Sequence, residues 1–140
     1  KLNPVELAES NSALDNAVDW VMQAKGKEPI LVYASAPPDA VKEVQQRLGR
    51  DLASSTVENA LAKIARAAVQ NGFRRIVVAG GETAGAVVSN LGIKGIMIGE
   101  QIDPGVPTTV SIGNPSIGLV LKSGNFGSAD FFEKALKVMP

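Results

Sequence analysis

The apolar positions of this chain change period several times, and each change marks the boundary of an element. Asn3-Pro4-Val5-Glu6 has the residues of a helix start, with Asn3 as N-cap, Pro4 in the first turn and Glu6 three residues past the cap. Ala8, Leu14, Val18, Val21 and Met22 carry an apolar face from there toward Gly26, which predicts one first helix. Pro29 to Ala34 is a continuous apolar run of strand length and predicts a buried strand. Pro37-Pro38-Asp39 turns the chain into a short helix that stops at Leu48-Gly49. Ser55 and Glu58 have capping-box spacing. Val57, Leu61, Ile64, Ala68 and Val69 then share one face until Asn71-Gly72 closes that helix.

Beyond Arg74-Arg75 the pattern becomes that of strands again. Ile76 to Ala79 predicts a strand, Thr83 to Leu91 a helix ended by Gly92, and Gly95 to Gly99 a short strand. Residues 100–116 predict a long connection with a rigid turn at Asp103-Pro104-Gly105-Val106-Pro107 and a brief strand near Thr108 to Ile112. A strand over 117–122 and a final helix from Ser128 or Asp130 to about Val138 complete the chain. Strands alternating with helices predict an α/β fold. The expected sheet is mostly parallel with helices on both faces, a three-layer arrangement, and residues 1–140 form one compact domain.

Two of the predicted strands run into glycine-dense loops that lead into helices. Ile76-Val77-Val78-Ala79 leads into Gly80-Gly81-Glu82-Thr83-Ala84-Gly85, and Gly118 to Leu121 leads into Lys122-Ser123-Gly124-Asn125-Phe126-Gly127. Glycines let backbone approach a ligand closely, and the free N–H groups at a helix start attract phosphate or carboxylate. If both strands lie parallel in one sheet, the loops open on the same edge, where open α/β sheets bind ligands.

The first loop is neither of the familiar phosphate motifs. Glu82 stands where a dinucleotide fingerprint needs glycine, and Ala86-Val87 replace the Lys and Ser/Thr of a Walker A loop. A carboxylate beside a phosphate repels it unless a cation intervenes or the carboxylate accepts hydrogen bonds from a sugar. Glu82 therefore suggests a Mg²⁺ or ribose contact, and equally Glu82 and Thr83 could simply favour a helix start. In the second loop Lys122 supplies a point charge for phosphate, while Ser123, Gly124, Asn125 and Gly127 supply hydroxyl, close backbone and amide donors. Phe126 is placed to pack under the loop or against a flat ring. A plain strand-to-helix turn remains the competing reading.

Composition narrows the chemistry. The 140 residues are 45% hydrophobic but only 4% aromatic, so the core must consist mainly of aliphatic residues and alanine. Fourteen basic residues balance fourteen acidic ones, which removes the general attraction expected of a nucleic-acid or anionic-membrane binder. With no cysteine and no histidine, disulfides, thiolate metal sites and Ser-His-Asp or Cys-His catalysis are excluded. No apolar run approaches the length of a membrane span, and no basic-then-apolar leader opens the chain, so a soluble cytoplasmic protein is expected. A start at Lys1 rather than Met suggests a piece of something longer.

Three ordered segments resemble one family. Gly80 to Ile93 (GGETAGAVVSNLGI), Ile98 to Thr109 (IGEQIDPGVPTT) and Leu121 to Leu136 (LKSGNFGSADFFEKAL), with Leu31 to Pro37 upstream, are similar to the C-terminal half of the four-carbon acid sugar kinases. The resemblance implies a C-terminal nucleotide-binding domain, taken from a longer two-domain kinase whose N-terminal half holds the sugar acid. The implied cofactors are ATP and Mg²⁺. The implied reaction is transfer of the γ-phosphoryl group to a hydroxyl of a tetronate or 3-oxo-tetronate. Gly80, Gly81, Glu82 and Thr83 match the family's nucleotide loop, and Gly124 lies in its second loop. Ala84 stands where the family often has serine, and an upstream Gly-Ser-Cys-Ser-like segment is absent. The resemblance thus implies an incomplete site and an inactive isolated chain. Of the aspartates near the motifs, Asp103 lies in a proline turn and Asp130 opens a helix, so neither is a convincing base and the acceptor-activating residue is expected outside this chain. A non-catalytic module that binds nucleotide or an acidic metabolite is the alternative, and self-association is left open.

Overall fold

A computed structural model describes residues 1–24 and 28–140, which fall into two compact units, Lys1–Asn71 and Gly72–Pro140. The expected approach of the first helix to Gly26 lies outside the described residues.

The first unit is helical. α1 (Pro4–Glu9) and α2 (Asn11–Gln23) replace the single helix that the apolar pattern predicts. Ser10 breaks it: this residue is extended, at φ −151° and ψ 135°, and its Oγ accepts the Ser12 N–H at 3.1 Å as the N-cap of α2. Asn3 caps α1 as the sequence implies, accepting from the Val5 N–H at 3.1 Å. α3 (Pro38–Leu48) ends at Gly49, whose φ of +81° suits glycine, and α4 (Arg50–Gln70) starts directly after it. Ser55 therefore sits inside α4 rather than at its start, with its hydroxyl turned back to the Leu52 carbonyl. The capping-box spacing is coincidental here, because Gly49 already supplies the break. The apolar run Pro29 to Ala34 is not a strand among the described residues, and Leu31 and Tyr33 on it are exposed.

The second unit holds the sheet. β1 (Arg75–Ala79), β2 (Ile96–Asp103), β3 (Val106–Ser111) and β4 (Gly118–Lys122) are arranged in the order β1-β4-β3-β2. β1 and β4 are parallel, while β4·β3 and β3·β2 are antiparallel, so the sheet is mixed rather than mostly parallel. The cause lies in residues 100–116. They form a hairpin instead of a long connection: Asp103 pairs with Val106 across Pro104-Gly105, and Gly105 takes φ +79°. Proline followed by a positive-φ glycine is the residue pair that a tight type II turn requires. β3 then spans the six residues Val106–Ser111 and returns antiparallel beside β4.

α5 (Gly81–Asn90) follows β1, and α6 (Phe131–Val138) follows the second glycine loop. Val106, Val120, Phe131, Ala135 and Met139 form the core beneath α6, joined by half-buried Val77, Ile102 and Leu136. Strand alternation puts Val78 and Leu119, both buried, on the opposite face from Val77 and Val120.

Candidate functional site

The parallel register of β1 and β4 decides where the two glycine loops open. Ala79 pairs with Lys122, so both strands end at the same level, and the Gly80 N–H donates to the Lys122 carbonyl at 2.9 Å. The loops are therefore neighbours on one rim of the sheet. Gly80, Gly81, Glu82 and Thr83 lie on one side, and Lys122, Ser123, Gly124, Asn125 and Gly127 on the other.

Each loop has a reason to contain its glycines. Gly80 has φ +117°, a conformation L side chains rarely adopt, and it acts as the N-cap of α5 without any side-chain hydrogen bond to the helix start. The first turn's N–H groups thus remain available, at the positive end of the helix dipole. Added Cβ atoms on Gly81 and Gly124 would meet nothing within 4 Å, so backbone on both loops is open to close approach. Gly127, at φ +90°, is different: a Cβ there would lie 2.6 Å from the Phe131 ring, so this glycine is required by packing.

Lys122 is 8% exposed, and its ammonium does not point away from the protein. Nζ donates to the Ser123 carbonyl at 3.0 Å and the Gly124 carbonyl at 3.2 Å, and lies 5.8 Å from the centre of the Phe131 ring. The lysine expected to hold phosphate therefore braces its own loop. An ammonium has three donors, so the two carbonyls leave one N–H uncommitted.

A second set of contacts, which sequence spacing does not reveal, fixes the far end of this loop. Asp103, at the end of β2, accepts from both the N–H and the hydroxyl of Ser128 at 2.9 Å, and from Lys134 at 3.3 Å. Ser128 Oγ also lies 2.6 Å from Asp130, so its one proton is shared between the two carboxylates, and Lys134 donates to Ser128 Oγ at 2.8 Å and pairs with Asp130 at 3.2 Å. The Ser128 backbone N–H, above all, holds the Asp103 carboxyl below its ordinary value, while the Ser128 hydroxyl does the same for Asp130. Asp130, foremost, raises Lys134. Phe126 packs on the same hairpin, since a Cβ on Gly105 would be 2.8 Å from its ring. The proline turn thus buttresses the second loop. The one sequence signal that could have located this network was Asp103 itself, a charged residue just before the turn.

Among the described residues no three acidic, histidine or cysteine side chains cluster as metal ligands, and no helix is long and apolar enough to cross a membrane.

These features define a class that comparison with known proteins identifies. Residues 1–132 match the family model described as a nucleotide-binding C-terminal domain, and the chain belongs to that family. Among its relatives, a Burkholderia multivorans protein named 3-oxo-tetronate kinase is 49% identical over 99% of this chain and 32% of its own length. A Pseudomonas savastanoi protein of the same name is 49% identical over 98% and 32%. A solved Haemophilus influenzae protein matches with a TM-score of 0.90 at 40% identity, covering 98% of this chain and 33% of that one. A Bordetella bronchiseptica protein solved with citrate as a domain-swapped dimer has a TM-score of 0.66 at 23% identity, which shows the fold alone. The chain therefore spans about a third of the length of the curated relatives it matches.

Proposed function

We propose that this chain is the ATP-holding part of a cytoplasmic kinase that transfers the γ-phosphoryl group to a hydroxyl of a four-carbon sugar acid, a tetronate or 3-oxo-tetronate. The observation that carries the proposal is the adjacency of two open glycine loops at the ends of parallel β1 and β4. The names of the relatives supply the substrate class.

The rim fits a nucleotide. Gly81 and Gly124 leave room for phosphate oxygens to reach backbone, and the uncapped start of α5 offers N–H donors. On this reading Gly80, Gly81 and Thr83 receive phosphate from one side, and Ser123, Gly124, Asn125 and Gly127 from the other. The third N–H of Lys122 adds positive charge at the junction. A Mg²⁺ ion, when bound with nucleotide, neutralises phosphate charge and needs only one or two protein carboxylates, a role that exposed Glu82 can fill.

A transferring phosphoryl group spreads charge over its oxygens, so positioning and electrostatic stabilisation provide most of the catalysis. The base is assigned elsewhere. Asp103 and Asp130 are held by Ser128 and Lys134 and have lowered proton affinity, which makes them poor proton acceptors. The same observation favours the second reading, a module that binds nucleotide or an acidic metabolite without chemistry. Assay of the full-length protein separates the two. ADP release that depends on a tetronate or 3-oxo-tetronate, lost in Glu82→Ala, supports the kinase, and nucleotide binding without phosphoryl transfer to any of these acids supports the module.

A further inference from the structure

In the Lys1–Asn71 unit the buried helix residues are concentrated on α4, at Ala53, Ala60, Ala62 and Ile64. α1 and α3 have no buried residue, and α2 buries only Val21. Beside Trp20 open two clefts of about 370 and 480 Å³, bounded by Leu31 and Val32 in one and by Pro29 and Ile30 in the other. Trp20 is 53% exposed, Leu31 63% and Tyr33 41%.

The segment between these clefts has the character of a strand without a ladder. Exposed and half-buried positions alternate from Leu31 to Ala34, the period of a strand, and the side chains are those that favour sheets. Among the described residues its one backbone partner is the Leu2 N–H, which donates to the Tyr33 carbonyl at 2.7 Å. Extended backbone with unpaired N–H and C=O groups is a template for another strand, and proteins seldom leave it bare. No charged residue occurs from Pro29 to Pro38, so the segment a partner strand meets is apolar, with Lys1 and Glu6 lining one cleft and Glu28 the other. The matched domain is a C-terminal one and covers only 32% of the relatives, so in them most of the polypeptide precedes it.

We infer that residues 29–34 pair with a strand from the preceding part of the same full-length polypeptide, whose apolar side chains fill the clefts beside Trp20. A tethered strand has a much higher effective concentration than a free partner, which favours it over a second copy. Hydrogen exchange on the full-length protein tests this, followed by mass spectrometry at two protein concentrations. Paired amides within 31–34 are expected to exchange at least about 100-fold more slowly than those of the exposed 123–127 loop, equally at both concentrations. Exchange at the loop's rate would overturn the inference. So would protection that appears only when the protein dimerises, because the occupant would then be a second copy.

Discussion

The Gly80 N–H donates to the Lys122 carbonyl at 2.9 Å, which ties the residue after β1 to the last residue of β4 and sets two glycine loops side by side. Everything proposed for nucleotide binding follows from that bond and the parallel register behind it. Gly80 also has a φ of +117°. Gly80→Ala is therefore predicted to cost about 1–3 kcal/mol of stability through backbone strain. It should also weaken nucleotide binding in the full-length protein, with denaturant titration reading the first effect and calorimetry the second.

Gly127→Ala combines strain with a clash. The new Cβ would lie 2.6 Å from the buried Phe131 ring, which anchors the core under α6. A loss of about 2–4 kcal/mol is expected from the two effects together, measured by urea unfolding. Gly124→Ala is the control. Its Cβ meets nothing within 4 Å, so stability should be nearly unchanged while nucleotide affinity falls.

Lys122→Met removes the brace on the Ser123 and Gly124 carbonyls while keeping much of the side chain's apolar bulk. Turnover in the full-length protein is predicted to fall at least about tenfold, the scale expected when positioned electrostatic contacts are lost. The loop should then be more mobile, with faster amide exchange over 123–127 before any ligand is added.

The Asp103, Asp130 and Lys134 cluster predicts how the second loop responds to pH. Both aspartates have proton affinities lowered from the ordinary 3.8, so their stabilisation is present above that value and lost as pH falls through their lower folded values. Lys134 is raised from 10.5, so its stabilisation is present below that value and lost as pH rises through its higher folded value. Loop anchoring should thus be flat across the neutral range. NMR shifts of Ser128, followed from neutral to strongly acid pH, should move only below about 3.8, and movement near neutrality would contradict the assignment.

Much of the architecture could be read from the chain because local signals agreed with the tertiary packing. Gly49, Gly92 and the Pro104-Gly105 pair all stop or turn the backbone where their residue types demand it. Both loops were visible as glycine clusters after aliphatic runs. What escaped was long-range. The pairing of β3 with β2, which makes the sheet mixed, depends on a hairpin read as a connection. The bond from Ser128 to Asp103 spans 25 residues and leaves no periodic trace. Pro29 to Ala34 has strand composition, but composition cannot supply a ladder partner.

The most direct test of the central claim is backbone protection in the full-length protein with and without saturating MgATP. If the two loops grip one nucleotide, residues 80–83 and 123–127 will both gain protection, with a single common dissociation constant. Protection confined to one loop, or absent from both while nucleotide binds elsewhere, would contradict the account.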